Sequence, residues 1–466
     1  MIRSAVLSLL FIILISTAAS AHQHSPLDEF QMSSTMIAKV QFANYKTGMR
    51  KLNQLHLDIA GIDIKNKSAD VVISDAEFKK LESLGFNVSM TMSKSLMRQP
   101  DAEYKTSSEI EVLLKDFNGR YPDLTQLHEV GKSLQGRSIW AISITSQNKK
   151  SAAEKPTILF NGMHHAREVM GPEIALDIIE TLLNGYGKDS KITHWIDSNK
   201  IWVLPMFNVD GNNIVWGKDN MWRKNARDNY GVDLNRNYPY AWGKCNGSSS
   251  SRSAQDYRGP SAASEPETKV MMNLVKDIRP VFDISYHSYS ELVIYPLGCK
   301  GQRTQNADVV EAIGKEMGSK LGYTAGTAWE TLYSVDGGDI DWMYATYQVI
   351  PYVIEVNSSS DGFQPDYSKR RPTAELNRKA WMHLLDRLDG PGIRGQVNAG
   401  EFNVLVQKKN GGQYIDYMNY VGNPDGTFHA VVSPGEYRVI VSGPELKKYS
   451  QDVSVTNSRL QLNFKL

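Results

Sequence analysis

A histidine and a carboxylate lie three residues apart in His165-Ala166-Arg167-Glu168, directly after the apolar run 157–162. If the chain leaves a strand and turns there, both side chains can reach one metal ion. Imidazole and carboxylate suit zinc, which at a catalytic site takes three protein ligands and keeps a fourth position for water. Because short combinations like this occur by chance, the interpretation needs a third ligand.

His287 is the candidate third ligand. It ends the apolar run 280–287, and in an open α/β sheet ligands bind outside the carboxyl ends of the strands. If the run before His165 belongs to the same sheet, one sheet edge presents all three groups. Taken singly, His287 is more often a satisfied core or turn histidine. We interpret His164 as structural, because it points elsewhere if positions 165 and 168 face one metal.

Glu355 lies within a further buried run, 353–356. A carboxylate there is costly unless it has a partner or a task. Beside zinc, which lowers the pKa of bound water towards about 7, it could take a proton from that water and pass it to a leaving amine. The alternative is a buried ion pair, for example with Arg167.

Other polar segments could handle an anionic substrate. Asp233-Leu234-Asn235-Arg236-Asn237-Tyr238 carries a guanidinium that can clamp a carboxylate through two parallel hydrogen bonds, and an amide donor beside it. The cationic run 223–227 could stabilise an oxyanion, although such runs are usually solvated faces. Tyr333 lies in a glycine-rich loop and could close over a bound substrate; an isolated loop tyrosine means little.

Composition sets the class of protein. The length of 466 residues predicts two to four domains. Values of 41% apolar and 22% charged residues are ordinary for globular proteins, and a net charge of +1 argues against a nucleic-acid binder that works through a basic field.

Residues 1–21 resemble a secretory signal peptide, with Arg3, an apolar run at 5–15 and a small-residue site at Ala19-Ser20-Ala21. The run is too short for a spanning helix, and no later run is long enough to cross a bilayer. We therefore expect a secreted or periplasmic mature chain without an integral membrane segment; a retained anchor is the alternative. Cys245 and Cys299, the two cysteines of the chain, form a disulfide or remain free thiols.

Periodicity predicts three folded regions. Residues 22–103 hold a small α+β module of βαββαβ order, with Ser74 as a helix N-cap, and a linker. Residues 104–389 alternate helices with apolar strands, at 156–161, 200–207, 280–287 and 348–356, which predicts an α/β fold with a mixed, mostly parallel sheet and helices on both faces. The predicted helices are 171–183, 264–278, 306–321 and 371–388, the second with a Ser264/Glu267 capping box. Period-two strands in 390–466 predict a β-sandwich.

Together these motifs resemble a zinc metallocarboxypeptidase of the carboxypeptidase A type, most of all its bacterial carboxypeptidase T branch. The resemblance spans roughly 104–388. It rests on seven ordered segments: 165–168, 221–225, 233–238, Tyr257-Arg258-Gly259, His287-Ser288-Tyr289-Ser290-Glu291-Leu292, Tyr333 with Gly337-Gly338-Asp339-Ile340-Asp341-Trp342, and Glu355. It implies a carboxypeptidase-like fold, with the first module placed like an activation segment and the tail like a transthyretin-like domain.

The resemblance also implies roles for individual residues. One zinc ion per catalytic domain would be held by His165, Glu168 and His287, with Glu355 as general base and acid. Arg227 would stabilise the oxyanion. The segment 223–227 has one more residue between its arginines than the family pattern, and counting back from Asp233 favours Arg227 over Arg223. The implied substrate-binding residues are Arg167, Asn235, Arg236, Ser288, Tyr289, Tyr333 and Ile340.

The expected substrates are peptides or proteins with a free C-terminal carboxylate, and an activating protease is an expected partner. The implied side-chain pocket is apolar, which favours large apolar or aromatic C-terminal residues; Asp339 nearby would instead favour Lys or Arg. Its implied lining is Gly298, Ala328, Gly338, Ile340 and Val353. Two alternatives remain: a zinc amidohydrolase acting on acylated amino acids or cell-wall peptides, and a non-catalytic secreted binding protein.

Overall fold

A computed structural model describes residues 35–93, 99–147, 155–398, 401–444 and 446–464. The candidate signal segment 1–21 and linker residues 94–98 lie outside the described residues. No helix in these ranges is both long enough and apolar enough to cross a membrane.

The N-terminal module is a four-stranded antiparallel sheet with two helices, and the predicted βαββαβ order is confirmed. Ser74 caps its second helix, as predicted, in a capping box with Glu77. The second strand was not located by periodicity, because Asp and Gly residues are depleted in strands. The elements are β1 (Thr35–Gln41), α1 (Tyr45–Asn53), β2 (Asp58–Asp63), β3 (Ser68–Ser74), α2 (Asp75–Ser83) and β4 (Asn87–Ser93).

The central region is built on an eight-stranded mixed sheet in the order β11-β10-β12-β9-β7-β8-β6-β5. The four middle strands, β12, β9, β7 and β8, run parallel. Every residue of β7 and β9 is buried, as expected for strands covered on both faces. The strands are β5 (Thr125–Lys132), β6 (Ser138–Ile144), β7 (Thr157–Gly162), β8 (Lys200–Leu204), β9 (Phe282–Ser288), β10 (Leu292–Tyr295), β11 (Thr324–Thr327) and β12 (Ile350–Val356).

Helices flank this sheet, and all four predicted helices are confirmed, as α4, α7, α8 and α11. The predicted capping box of α7 is wrong: the helix begins after Glu265 without a side-chain cap. Glu265 N donates to Asn237 Oδ1, and Ser264 Oγ donates to Glu265 Oε1. Glu267 accepts from the backbone N–H of Leu134. The helices are α3 (Ser107–Arg120), α4 (Met170–Gly185), α5 (Ser190–Ser198), α6 (Val209–Gly217), α7 (Pro266–Ile278), α8 (Ala307–Leu321), α9 (Ala328–Thr331), α10 (Asp339–Tyr347) and α11 (Arg370–Arg387).

The C-terminal region is β-rich, with sheets in the orders β16-β13-β19 and β15-β14-β17-β18. Val404, Val439 and Leu462, which belong to the period-two pattern of this region, are buried. Asp308 of α8 binds the region by accepting from Lys408 Nζ and Tyr417 Oη at 2.6 and 2.7 Å. The strands are β13 (Gly392–Val397), β14 (Asn403–Asn410), β15 (Gln413–Val421), β16 (Thr427–Val431), β17 (Gly435–Gly443), β18 (Leu446–Val455) and β19 (Arg459–Phe464).

Strand register and one disulfide position the candidate site. Gly162 at the end of β7 pairs with Tyr286 of β9, and His287 pairs with Glu355 of β12. The three candidate segments therefore end at one edge of the sheet. The disulfide between Cys245 and Cys299 is present, and it joins two loops that are distant in sequence beside this edge.

Candidate active site

Three potential ligand side chains converge where β7 and β9 end. His165 Nδ1 lies 2.7 Å from Glu168 Oε1, and His287 Nδ1 lies 3.0 Å from Glu168 Oε2. The two Nδ1 atoms are 3.1 Å apart. Tetrahedral zinc with bonds of about 2.0–2.2 Å separates its ligands by roughly 3.3–3.5 Å, so small outward shifts accommodate the ion. The donor set, two imidazoles and one carboxylate, therefore fits zinc.

Glu168 is held in its charged form. Burial alone would raise the pKa of its carboxyl, but His165 and His287 hold that pKa below its ordinary value. On the outer side of His165, Nε2 lies 3.3 Å from Asp233 Oδ1. Burial would also raise the pKa of Asp233, but Arg223 and His165 hold it well below its ordinary value. A carboxylate behind a metal-ligating histidine fixes its tautomer and orientation.

Glu355 lies beside the potential ligands, opposite His287 in the β9–β12 pairing. Burial, opposed by His287, raises the pKa of its carboxyl from 4.5 to about 7. The alternative ion pair with Arg167 is not what the structure shows, since Arg167 binds Asp58 through Nη1 and Nη2 at 2.6 Å each. Glu355 is therefore poised to exchange a proton near neutral pH.

A cavity of about 70 Å³ joins these groups to most of the predicted substrate-binding residues. Arg236 is fixed by its own donors: Nε bonds Gly247 O at 3.0 Å and Nη1 bonds Asn235 O at 2.7 Å. Gly337 adopts φ +66, and a Cβ there would lie 2.3 Å from Arg236 O, so the turn requires glycine. The predicted residues that line the cavity are His165, Glu168, Asn235, Arg236, His287, Ser288, Tyr289, Tyr333, Ile340 and Glu355.

The cavity also has an apolar part that carries two carboxyl groups. Asp339 Oδ1 accepts from Ile340 N, and Asp341 Oδ2 accepts from Gly298 N, each at 2.8 Å. Burial raises the pKa of Asp341 to about 7. Each of the two carboxyl groups therefore accepts a hydrogen bond from a backbone N–H. The described lining beyond the sequence-derived set includes Ile294, Leu332, Val335 and Asp341.

The structure places Arg223 in the described lining of the cavity and Arg227 outside it, whereas the sequence favoured Arg227 as the oxyanion residue. Arg227 Nε bonds both oxygens of Glu265, at 2.9 and 2.8 Å, and Arg227 is absent from the described lining of the cavity. Arg223 does line it, with Nη1 3.8 Å from Glu168 Oε1. Counting along the sequence selected Arg227, because the contact between Arg227 and the buried Glu265 leaves no signal in local spacing. The backbone C=O of Arg223 accepts from Ala166 N at 2.9 Å. This hydrogen bond fixes Arg223 beside the turn that carries His165 and Glu168.

The N-terminal module covers the cavity. Residues 59–62 of β2 form part of its lining. Beside them, Asp58 makes the paired hydrogen bonds to Arg167, and Tyr289 Oη donates to Asp70 Oδ2 at 3.1 Å. The guanidinium of Arg167, an implied substrate-binding residue, is therefore occupied by Asp58 in this structure.

Comparison with known proteins agrees with this geometry. The profile of the family described as zinc carboxypeptidase matches residues 110–380, more than half of the chain. Carboxypeptidase B from Canis lupus familiaris is 27% identical over 347 residues, covering 69% of this chain and 82% of the canine protein. A zinc carboxypeptidase from Saccharothrix mutabilis subsp. capreolus is 35% identical over 263 residues, covering 53% and 60% of the two chains.

Among solved structures, carboxypeptidase A from Helicoverpa armigera superimposes with a TM-score of 0.65 at 23% identity, over 76% of this chain and 96% of that one. The chain belongs to the zinc carboxypeptidase family. It is a zinc metallocarboxypeptidase with the carboxypeptidase fold, and zinc is its cofactor. The non-catalytic interpretation is therefore not retained, whereas likeness to the carboxypeptidase T branch stays a prediction.

The raised pKa of Glu355 predicts a pH-dependent stability in the zinc-free protein. Folding favours the protonated carboxyl, so its stabilising effect is full below pH 4.5 and is lost as the pH rises through about 7. Glu355→Gln removes this loss. In urea unfolding, the gain in unfolding free energy of the variant should be larger at pH 8 than at pH 4.5, by on the order of 1–3 kcal/mol. A gain independent of pH would contradict the assignment.

Proposed function

We propose that the chain is a C-terminal exopeptidase that removes one residue at a time from peptides ending in a free carboxylate. The observation that carries this proposal is the shared cavity. It contains the His165/Glu168/His287 cluster, the carboxyl of Glu355 and the fixed guanidinium of Arg236. A peptide terminus bound at Arg236 brings its last peptide bond toward the cluster.

In the proposed mechanism Glu355 transfers the protons and Arg223 stabilises the developing negative charge. When held by the cluster, zinc supplies Lewis acidity toward the scissile carbonyl and lowers the pKa of water. Glu355 takes a proton from the attacking water and returns it to the leaving amine. Arg223 holds the negative charge that develops on the carbonyl oxygen. We transfer this role from Arg227 because Arg223 lies at the cavity and Arg227 is bound to Glu265.

Substrate orientation is assigned to the opposite side of the cavity. Arg236 clamps the terminal carboxylate, with Asn235 and Tyr333 as further donors. The apolar lining, which includes Ile340 and Val353, accepts a large apolar or aromatic side chain. Asp341, already bonded to Gly298 N, is protonated in part near neutral pH, and this weakens any preference for cationic residues.

The intact chain is proposed to be an inactive precursor. Residues 1–21 direct export, and the disulfide Cys245–Cys299 suits a secreted or periplasmic protein. The N-terminal module blocks the cavity until a protease removes it. The proposed catalytic domain begins slightly before position 104, because Asp101 Oδ2 accepts from Tyr367 N at 2.7 Å and Tyr104 Oη donates to Pro365 O at 3.1 Å. The proposed regions are then 1–21, 22–100, 101–389 and 390–466, the last a transthyretin-like domain.

Blocking the substrate terminus tests the exopeptidase proposal. Enzyme freed of its N-terminal module should hydrolyse a peptide ending in phenylalanine and should lose about 10²-fold or more in kcat/KM on its C-terminal amide, because the amide cannot form the charge-assisted pair with Arg236. Mass spectrometry of the released residue is the measurement. Equal rates on both peptides would favour the amidohydrolase alternative.

Paired arginine substitutions test the oxyanion assignment. Arg223→Gln should lower kcat by about 10²–10³-fold, the usual cost of removing an oxyanion donor. Arg227→Gln should lower thermal stability, since the buried Glu265 keeps its neutral donors Asn225 and Ser264 but loses the guanidinium of Arg227. The kcat of the folded enzyme should stay within about threefold of the unsubstituted value. A loss of kcat confined to the Arg227 variant would restore the original assignment.

Asp58→Asn tests the blocking role of the N-terminal module. Breaking a buried ion pair costs about 3–5 kcal/mol, so the variant should expose the cavity more often. Its intact chain should hydrolyse peptide at least about tenfold faster than the unsubstituted intact chain. Asp63→Asn is the matched control, because Asp63 lies on the same strand and bonds Asn66 within the module. If both variants gain the same hydrolysis rate, and mass spectrometry shows that neither chain has been cut, the Asp58–Arg167 pair does not block the cavity.

A further inference from the structure

A buried polar layer lies on the side of His287 that faces away from the cluster. Its centre is the hydroxyl of Ser285, which contacts His287 Nε2 at 3.2 Å, Asn161 Oδ1 at 3.1 Å and His164 Nδ1 at 3.3 Å. All four side chains are almost fully buried. His164 is held from behind by Tyr238 Oη, 3.1 Å from its Nε2. Asp339 Oδ2 lies 3.6 Å from the same nitrogen.

The donors and acceptors of this layer determine which nitrogen of His287 carries the proton. Asn161 Nδ2 donates to Asp283 Oδ1 at 2.8 Å, so its amide oxygen faces Ser285. Because an amide oxygen can only accept, the hydroxyl donates its one proton to Asn161 Oδ1, and its lone pairs are left for His164 and His287. His287 therefore donates from Nε2, and a neutral imidazole with its proton there has a free lone pair at Nδ1.

The two histidines of the cluster thus have different outer partners. His165 Nε2 faces the carboxylate of Asp233, whereas His287 Nε2 faces a neutral hydroxyl. A carboxylate partner makes the imidazole a more basic ligand. A hydroxyl fixes the tautomer without placing another negative charge beside Glu168.

We propose that Ser285 is a positioning residue for zinc. Its hydroxyl fixes His287 in the tautomer that turns Nδ1 toward Glu168, and Asn161 and His164 hold that hydroxyl in place. This inference rests on the proposed ligand set His165, Glu168 and His287. It assigns the layer a function in metal binding, although Ser285, Asn161 and His164 lie outside that proposed ligand set.

The test is zinc affinity, measured by chelator competition on the full chain. Ser285→Ala should weaken zinc binding by about 10–100-fold, the usual effect of losing an outer partner of a ligand. Ser285→Thr keeps the hydroxyl and should restore affinity to within about threefold of the unsubstituted protein. Ser143→Ala is the matched control, because Ser143 Oγ bonds His128 Nε2 at 2.9 Å elsewhere in the same sheet. It should leave zinc affinity unchanged.

Outcomes separate this inference from the proposed ligand set. If His287→Ala retains zinc, the ligand set itself fails. If His287→Ala abolishes binding while Ser285→Ala binds zinc as tightly as the unsubstituted protein, only the role of Ser285 fails.

A second measurement needs no variant and so does not depend on the folding of Ser285→Ala. In the ¹¹³Cd-substituted protein, NMR should show coupling of the metal to Nδ1 of His287 and a hydrogen-bonded proton on Nε2. Coupling through Nε2 would overturn the inference.

Discussion

Two imidazole nitrogens and a carboxylate face one another in the protein interior, at separations of 2.7, 3.0 and 3.1 Å. Lone pairs and negative charge at such distances are tolerable only with a cation among them, a proton or a metal ion. Much of the surrounding structure serves this constraint. The β7–β9 register brings His165 and His287 together, and their outer nitrogens face Asp233 and Ser285, at 3.3 and 3.2 Å. Arg223 in turn neutralises Asp233 through a 2.9 Å hydrogen bond.

The same balance of charge links the N-terminal module to the site. Arg167 is buried beside the cluster and needs an anion; in the intact chain Asp58 supplies it, and Phe363 packs on the guanidinium at 4.1 Å. The apolar core of the module is continuous with the apolar lining of the cavity, through residues such as Ile294 and Ile340. The module is held by the Asp58–Arg167 pair, by hydrogen bonds such as that from Tyr289 Oη to Asp70 Oδ2, and by a shared apolar surface. In the proposed precursor these contacts are lost together once the chain is cut.

The sequence was sufficient for the features that depend on local pattern. The buried strands β7, β8, β9 and β12 and four long helices were predicted because their apolar residues follow a clear period. The edge strand β5, most of whose residues are half-buried or exposed, and its neighbour β6 were not predicted. The potential ligands His165, Glu168 and His287 were found because each directly follows or ends a buried strand.

Other features depend on contacts between distant residues. Arg227 was chosen by counting along the chain, but its position is decided by Glu265, 38 residues away. The Asp58–Arg167 pair spans 109 residues and leaves no trace in local spacing. The layer around Ser285 joins residues of β7, the turn after it and β9, and no single segment contains enough of it to suggest a role. His164 was set apart from the ligands on the direction of the turn, and only the folded chain shows that it contacts Ser285 and Tyr238.

We infer that His165, Glu168 and His287 share one metal ion, each histidine through Nδ1 and Glu168 through its carboxylate. The most direct measurement is anomalous X-ray scattering at the zinc edge from crystals of the full chain. We expect a single strong peak about 2.0–2.2 Å from those three donors. A peak coordinated through an Nε2 atom, or one held by other side chains with this cluster vacant, would contradict it.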